Sequence, residues 1–242
     1  MIEQFYLGWD VGGWNCDKNA LSRDALVLLN AKGEWVGSAW RGNLRDIINQ
    51  ASTPTEFITA VFGLCDVAVP DKPFHVTLAI DTPLGFSDAF VELITQDRAT
   101  AYIGLSQDNP YLYRATERFL FERGIKPLSP IKDMIGSQAT KGIHFLSRFA
   151  PNKVLAGVWS DGSQLTAFEG YPSACKRSPI MQQYFAEYPD LLNDDKRDAL
   201  WCALIAFLFD TDKDKVAFPH KDISMTEGWI FVPLDAFSDS TL

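Results

Sequence analysis

Gln4-Phe5-Tyr6-Leu7-Gly8-Trp9-Asp10 reads as a β-strand that runs into an acid, and the reading of the whole chain follows from it. Downstream, Ala25-Leu26-Val27-Leu28-Leu29 forms a second apolar strand within 24–31. Asn30-Ala31-Lys32-Gly33-Glu34 supplies turn chemistry, and Trp35-Val36-Gly37-Ser38-Ala39-Trp40 makes a third strand. Three strands joined by short connections predict an antiparallel meander whose first member ends at Asp10. Thr53, Pro54 and Glu56 then open a helix to about residue 68, with Thr53 as cap and Pro54 in the first turn. Phe74 to Ile80 is a further apolar strand, and it too ends in an acid, Asp81.

A helix between the meander and the Asp81 strand supplies the crossover that parallel pairing requires. The expected fold is therefore α/β, with a ribonuclease H-like mixed sheet: a three-strand antiparallel meander plus parallel strands, flanked by helices. Asp10 and Asp81 would end neighbouring strands, where open α/β sheets bind ligands. Further along, helices are expected from Ser87 to about Thr95, over 111–123 before Gly124, and up to about Phe149. Strands 154–159 and 164–169 flank the turn Ser160-Asp161-Gly162-Ser163. Helices follow at 173–187 and 194–209, then a short strand at 229–232 and a fraying tail after Asp235. The chain is expected to be one domain over 1–242, with a helical and loop insertion around 96–150.

Composition narrows the function classes. With 47% hydrophobic residues the chain can bury a large core. A net charge of −9 weighs against broad nonspecific nucleic-acid binding, which relies on Lys and Arg at phosphates, although a local basic patch remains compatible with it. No apolar run reaches the ~20 residues that span a bilayer. Met1-Ile2-Glu3-Gln4 offers no basic region and Asp10 interrupts the apolar stretch, so no signal peptide is expected, and the four cysteines show no C-x-x-C spacing. The expected setting is the reducing cytoplasm, away from membranes.

The chemistry sits in the acids. Asp10, Asp81 and Glu169 each follow an apolar strand pattern. Asp195 and Asp198 lie three apart, on one face of a helix whose continuation, Ala199 to Phe207, is apolar throughout. Asp194 reads as that helix's cap. Carboxylates converging from several elements suit Mg²⁺ or Mn²⁺, and two such ions can activate water and stabilise the leaving oxygen in phosphodiester cleavage. Asp10 and Asp81 taken alone also suit solvated strand ends.

Gly8-Trp9-Asp10-Val11-Gly12-Gly13-Trp14, Ala79-Ile80-Asp81-Thr82-Pro83-Leu84-Gly85, Phe168-Glu169-Gly170-Tyr171-Pro172 and Asp195-Lys196-Arg197-Asp198-Ala199-Leu200 resemble, in this order, the motifs of domain of unknown function family 429, a group of predicted ribonuclease H-like nucleases. The acidic helix is also similar to that of bacterial Holliday-junction resolvases. The resemblance implies Asp10, Asp81 and Asp198 as metal ligands, with Glu169 and Asp195 in support. The expected catalytic set is Asp10, Asp81, Asp198 and Glu169, and the expected metal set is Asp10, Asp81, Asp195 and Asp198.

Arg114, Lys132 and Lys141 fall in the most basic stretch of the chain, and Lys176 follows Tyr171-Pro172. All four are candidates for binding substrate phosphate; an ordinary solvated loop is the competing reading of the stretch. His144 is the candidate general base among His75, His144 and His220. The leading expectation is a divalent-metal-dependent nuclease or phosphodiesterase acting on DNA or RNA. Two alternatives stand beside it. One is a noncatalytic binding or regulatory protein that keeps the fold. The other is an ATP-dependent phosphotransferase of the actin-like superfamily, suggested by Gly12-Gly13 after Asp10.

Overall fold

The computed structural model describes residues 2–237. The meander forms as β1 (Glu3–Asp10), β2 (Asp24–Asn30) and β3 (Trp35–Gly42). Two helices, α1 (Arg45–Gln50) and α2 (Pro54–Leu64), lead to β4 (Phe74–Asp81). Next come α3 (Asp88–Gln96), α4 (Ala115–Phe121) and α5 (Gly136–Phe149), then the short strands β5 (Asn152–Leu155), β6 (Val158–Ser160) and β7 (Leu165–Gly170). The last part holds α6 (Pro172–Cys175), α7 (Pro179–Phe185), the long α8 (Asp194–Thr211) and β8 (Ile230–Phe231).

All eight strands join one sheet in the order β3-β2-β1-β4-β7-β6-β5, with β8 beside β7. The meander pairs are antiparallel, β1–β4 and β4–β7 are parallel, and β6 and β5 continue antiparallel. This is a mixed α/β fold with a multi-stranded sheet covered by helices.

Strand alternation decides what each face carries. Phe5, Leu7 and Trp9 of β1, with Val76, Leu78 and Ile80 of β4, point to one face. There they meet Phe57, Val61 and Phe62 of α2 and Phe145 and Phe149 of α5. Tyr6 and Ala79 point to the other face, where α8 lies with Leu200 to Ala206 and Leu208 buried. Gly8 lies between them in the alternation, and a Cβ there would fall onto the backbone of Ala199 and Ala203. The missing side chain lets the helix rest directly on the strand. Asp10 shares that parity, so the first turn of α8 comes down beside it.

Several local expectations shift. The expected strand 154–159 breaks at Gly157, whose φ of +82° reverses the chain into a hairpin. The expected helix 173–187 is two helices, because Ser178 caps a fresh start with Pro179 at its first position. The helix expected from 111 begins at Ala115, and α1 was not anticipated. Asn193, rather than Asp194, caps α8 by accepting from the Lys196 amide. The fraying expected after Asp235 falls, from residue 238 on, outside the described residues; Leu234–Ala236 form a short 3-10 turn. Among the described residues no helix is long and apolar enough to cross a membrane.

Gly8→Ala should destabilise the protein by about 3 kcal/mol, the upper range for overpacking, because the obstacle is backbone. Gly63 in α2 has open space around a would-be Cβ, so Gly63→Ala should instead stabilise by about 0.5–1 kcal/mol. Thermal melts of the two variants should move in opposite directions, and equal behaviour would contradict the packing of α8 on β1.

Candidate active site

Register brings the first two acids together. In the parallel β1–β4 pair, Asp10 is the direct partner of Asp81. Partners in register share a face, so both carboxylates stand on the α8 side of the sheet, at its carboxyl end. The first turns of α8 add Asp195 and Asp198. The charges of both raise the pKa of Asp10, and Asp198 also raises that of Asp81.

The same parity separates Glu169. Its register partner on β4 is Ile80, not Asp81, which puts its side chain on the α2–α5 face. There it is almost fully buried and bound by Arg114 through two contacts of 2.8 Å, while it accepts the Leu84 amide at 2.9 Å. Glu169 thus holds the turn after Asp81. Burial pushes its carboxyl upward, against the pull of Arg114.

Each remaining buried acid is likewise engaged. Asp195 accepts from Arg41 Nε at 2.6 Å and from the Arg23 amide at 3.0 Å. Glu117 binds the Arg114 guanidinium and the Arg114 amide. Glu227 accepts the amides of Asp88 and Ala115 at the starts of α3 and α4. Asp24, which sequence reasoning passed over, is a buried hub. It takes Trp9 Nε1 at 3.1 Å, the Gly12 amide at 2.9 Å, the Leu44 amide at 2.6 Å and the Lys141 ammonium. It pins the 11–23 loop beside the end of β1, and it turns the Gly12 amide inward.

Asp10 and Asp81 differ from all of these. Among the described residues neither side chain forms a hydrogen bond or an ion pair. Asp10 is held well above its ordinary range by burial first, then by Asp81, Asp195, Asp198 and Asp24. Asp81 is pushed up to about 8 by burial, Asp198 and Glu169, with only Lys176 opposing. Asp198 contacts Lys176 Nζ at 2.5 Å, but off the hydrogen-bond direction, so its buried Oδ1 lacks a hydrogen-bond partner.

The residues expected at substrate phosphate part ways. Arg114 and Lys141 are fully buried, each closing an ion pair inside the protein, so neither presents charge to a ligand. Lys132 is exposed and pairs with Asp133 at 3.2 Å. Lys176, at the C-terminal cap of α6, is the one that stands at the acids. His144 packs edge-on against Trp14. Asp10 and Asp81 line a cavity of about 430 Å³ together with Pro127, Leu128, Ile135 and Tyr171.

Among the described residues, no three His, Cys, Asp or Glu side chains stand as a ready-made metal cage. The donor chemistry of Asp10, Asp81 and Asp198 nonetheless suits a hard divalent cation: all are carboxylates, and none is consumed by the hydrogen bonds that tie up their neighbours. Fold and site together define an α/β protein with an acidic cavity at the carboxyl ends of its parallel strands. The chain matches no protein-family model, and no curated protein or solved structure matches it significantly.

The raised acids predict a pH dependence for the metal-free protein. Asp81 ionises near 3.8 when unfolded and near 8 when folded, so the fold favours its protonated form. Its contribution is full below about pH 4, declines as pH rises towards 8, and is constant above. Thermal melts in chelator should fall across this window. Asp81→Asn should flatten the fall and raise the melting temperature at pH 8 by about 2–4 °C per kcal/mol of relieved repulsion. A variant less stable than the parent at pH 8 would count against this account of the site.

Proposed function

We propose that this protein is a divalent-metal-dependent phosphodiesterase or nuclease of ribonuclease H-like architecture, with Asp10, Asp81 and Asp198 as its metal-holding acids. The observation that carries the reading is the contrast among the acids. Among the described residues the buried carboxylates Asp24, Glu117, Glu169, Asp195 and Glu227 all have amide, guanidinium or ammonium partners, whereas the two in register at the ends of β1 and β4 have none. Carboxylates left so close and unpartnered find relief either in a proton or in a bound cation, and we assign them the cation. The strand order, with a meander followed by two parallel additions at β4 and β7, supports the ribonuclease H-like reading, in line with the resemblance of the sequence motifs to those of family 429.

Mg²⁺ or Mn²⁺, when bound, would supply an activated water and charge stabilisation at the leaving oxygen. The chain's own part is positional. The β1–β4 register fixes the spacing of Asp10 and Asp81. Glu169 and Arg114 hold the 81–84 turn from behind. Lys176 balances the charge of Asp198. Asp195, bound to Arg41, orients the first turn of α8 and supports the site from outside the ligand set. The free state of all four cysteines suits a reducing, cytoplasmic setting.

Calorimetric titration of Mn²⁺ should show binding that weakens at least tenfold in Asp10→Asn and in Asp81→Asn, with both variants folded. Metal-dependent hydrolysis of a phosphodiester should disappear in the same two proteins. Parent protein that binds neither Mg²⁺ nor Mn²⁺ would sink the proposal.

A further inference from the structure

The cavity that holds Asp10 and Asp81 has a composition that speaks to substrate. No Lys or Arg is among the residues that line it. Its polar members besides the acids are neutral, among them Thr82, whose buried hydroxyl has no hydrogen-bond partner. Of the cations nearby, Lys176 pairs with Asp198, Arg41 with Asp195, Lys141 with Asp24 and Arg114 with Glu117 and Glu169, while Lys126 and Arg23 flank the lining without entering it. A protein that follows a polynucleotide needs a row of free Lys and Arg for successive phosphates. Here such a row is absent from the cavity lining.

Beside the acids, the lining carries an apolar group. Pro127 and Leu128 come from the loop before α5, Ile135 from the cap of α5, and Tyr171 from the end of β7. The loop is fastened in place. Tyr171 Oη donates to the Lys126 carbonyl at 3.1 Å, Arg177 donates to the Gly124 carbonyl at 2.7 Å, and Gly124 turns the chain at φ +74°. Leu128 nevertheless leaves more than half of its surface in solvent. An apolar surface that shares one cavity with a charged cluster, and leaves Leu128 largely open, suits a ligand that is anionic at one end and apolar at the other. The cavity of about 430 Å³ lies within the range of about 300–1,000 Å³ typical of small-ligand sites.

We infer that the substrate is a small phosphodiester bearing one flat or apolar group of nucleoside size, which rests on Leu128, Ile135 and Tyr171, rather than a polynucleotide tracked along its backbone. This rests on the phosphodiesterase reading above. In the hydrolysis, the water oxygen forms a new bond to phosphorus and the bond from phosphorus to the leaving alcohol breaks. One water proton ends on the leaving oxygen and the other is released to solvent, giving a phosphomonoester and an alcohol.

The experiment compares 4-nitrophenyl thymidine 5′-phosphate, bis(4-nitrophenyl) phosphate and a 30-nucleotide single- or double-stranded DNA, each with Mn²⁺, from 50 to 300 mM salt. The small esters should be cleaved with kcat/KM at least tenfold above that of the DNA. Their log–log salt dependence should be no steeper than about −1, as one phosphate charge allows. Leu128→Ala should raise KM for the thymidine ester about tenfold and leave Mn²⁺ affinity unchanged in calorimetry. Preferred cleavage of DNA with a steep salt dependence overturns the substrate inference and leaves the metal site standing. Small-ester cleavage that Leu128→Ala does not touch also overturns it, by removing the apolar wall. Failure to bind Mn²⁺ defeats both this inference and the reading on which it rests.

Discussion

The parallel register of β1 with β4 places Asp10 opposite Asp81, and the rest of the molecule is arranged around that enforced proximity. Strand partners cannot rotate away from one another as loop residues can, so the repulsion is built into the sheet. The apolar faces hold it there. One side of the strands is locked by the aromatic cluster of α2 and α5, and the other by a helix buried along most of its length. A fold whose net stability is a small difference of large terms thus carries a local conflict at one edge and offsets it with burial over the whole sheet. Such concentrated disagreement between local energetics and global fold is characteristic of functional sites.

Much of this was legible in the chain. The meander and the Asp81 strand announce themselves through apolar runs, of which the first and the last stop at an acid, and α8 through an apolar run too long for a strand. The helix cap at Thr53 is present as expected, with its hydroxyl accepting the Glu56 amide. What failed to show was anything that depended on parity or on distant partners. Glu169 looks like Asp10 and Asp81 in sequence, since all three end apolar strands. A one-residue difference in register sends it through the sheet to Arg114. No local pattern encodes that offset.

The basic stretch misled for a related reason. Arg114 and Lys141 sit among polar neighbours and read as surface charge, yet both are fully buried. Their partners lie far away in sequence: Glu169 is 55 residues from Arg114, and Asp24 is 117 from Lys141. The pairs act as internal rivets. One joins α4 to the end of β7, and the other joins α5 to the start of β2. Removing either partner would strand a charge in the interior, which is costlier than the pair itself is stabilising. Lysine and arginine counts therefore overstate the positive surface of this already acidic protein.

The position of α8 also bears on how the protein is made. The helix that covers Tyr6, Val27, Leu29 and Ala79 comes from the last quarter of the chain. During synthesis the first strand emerges long before its cover. At about 5–20 residues per second the wait is roughly 10–40 s. Throughout that interval one apolar face of the growing sheet has nothing from its own chain to lie against, while Asp10 and Asp81 lack the third acid that α8 brings. The acidic centre is thus completed only after the whole sheet that carries it has been made.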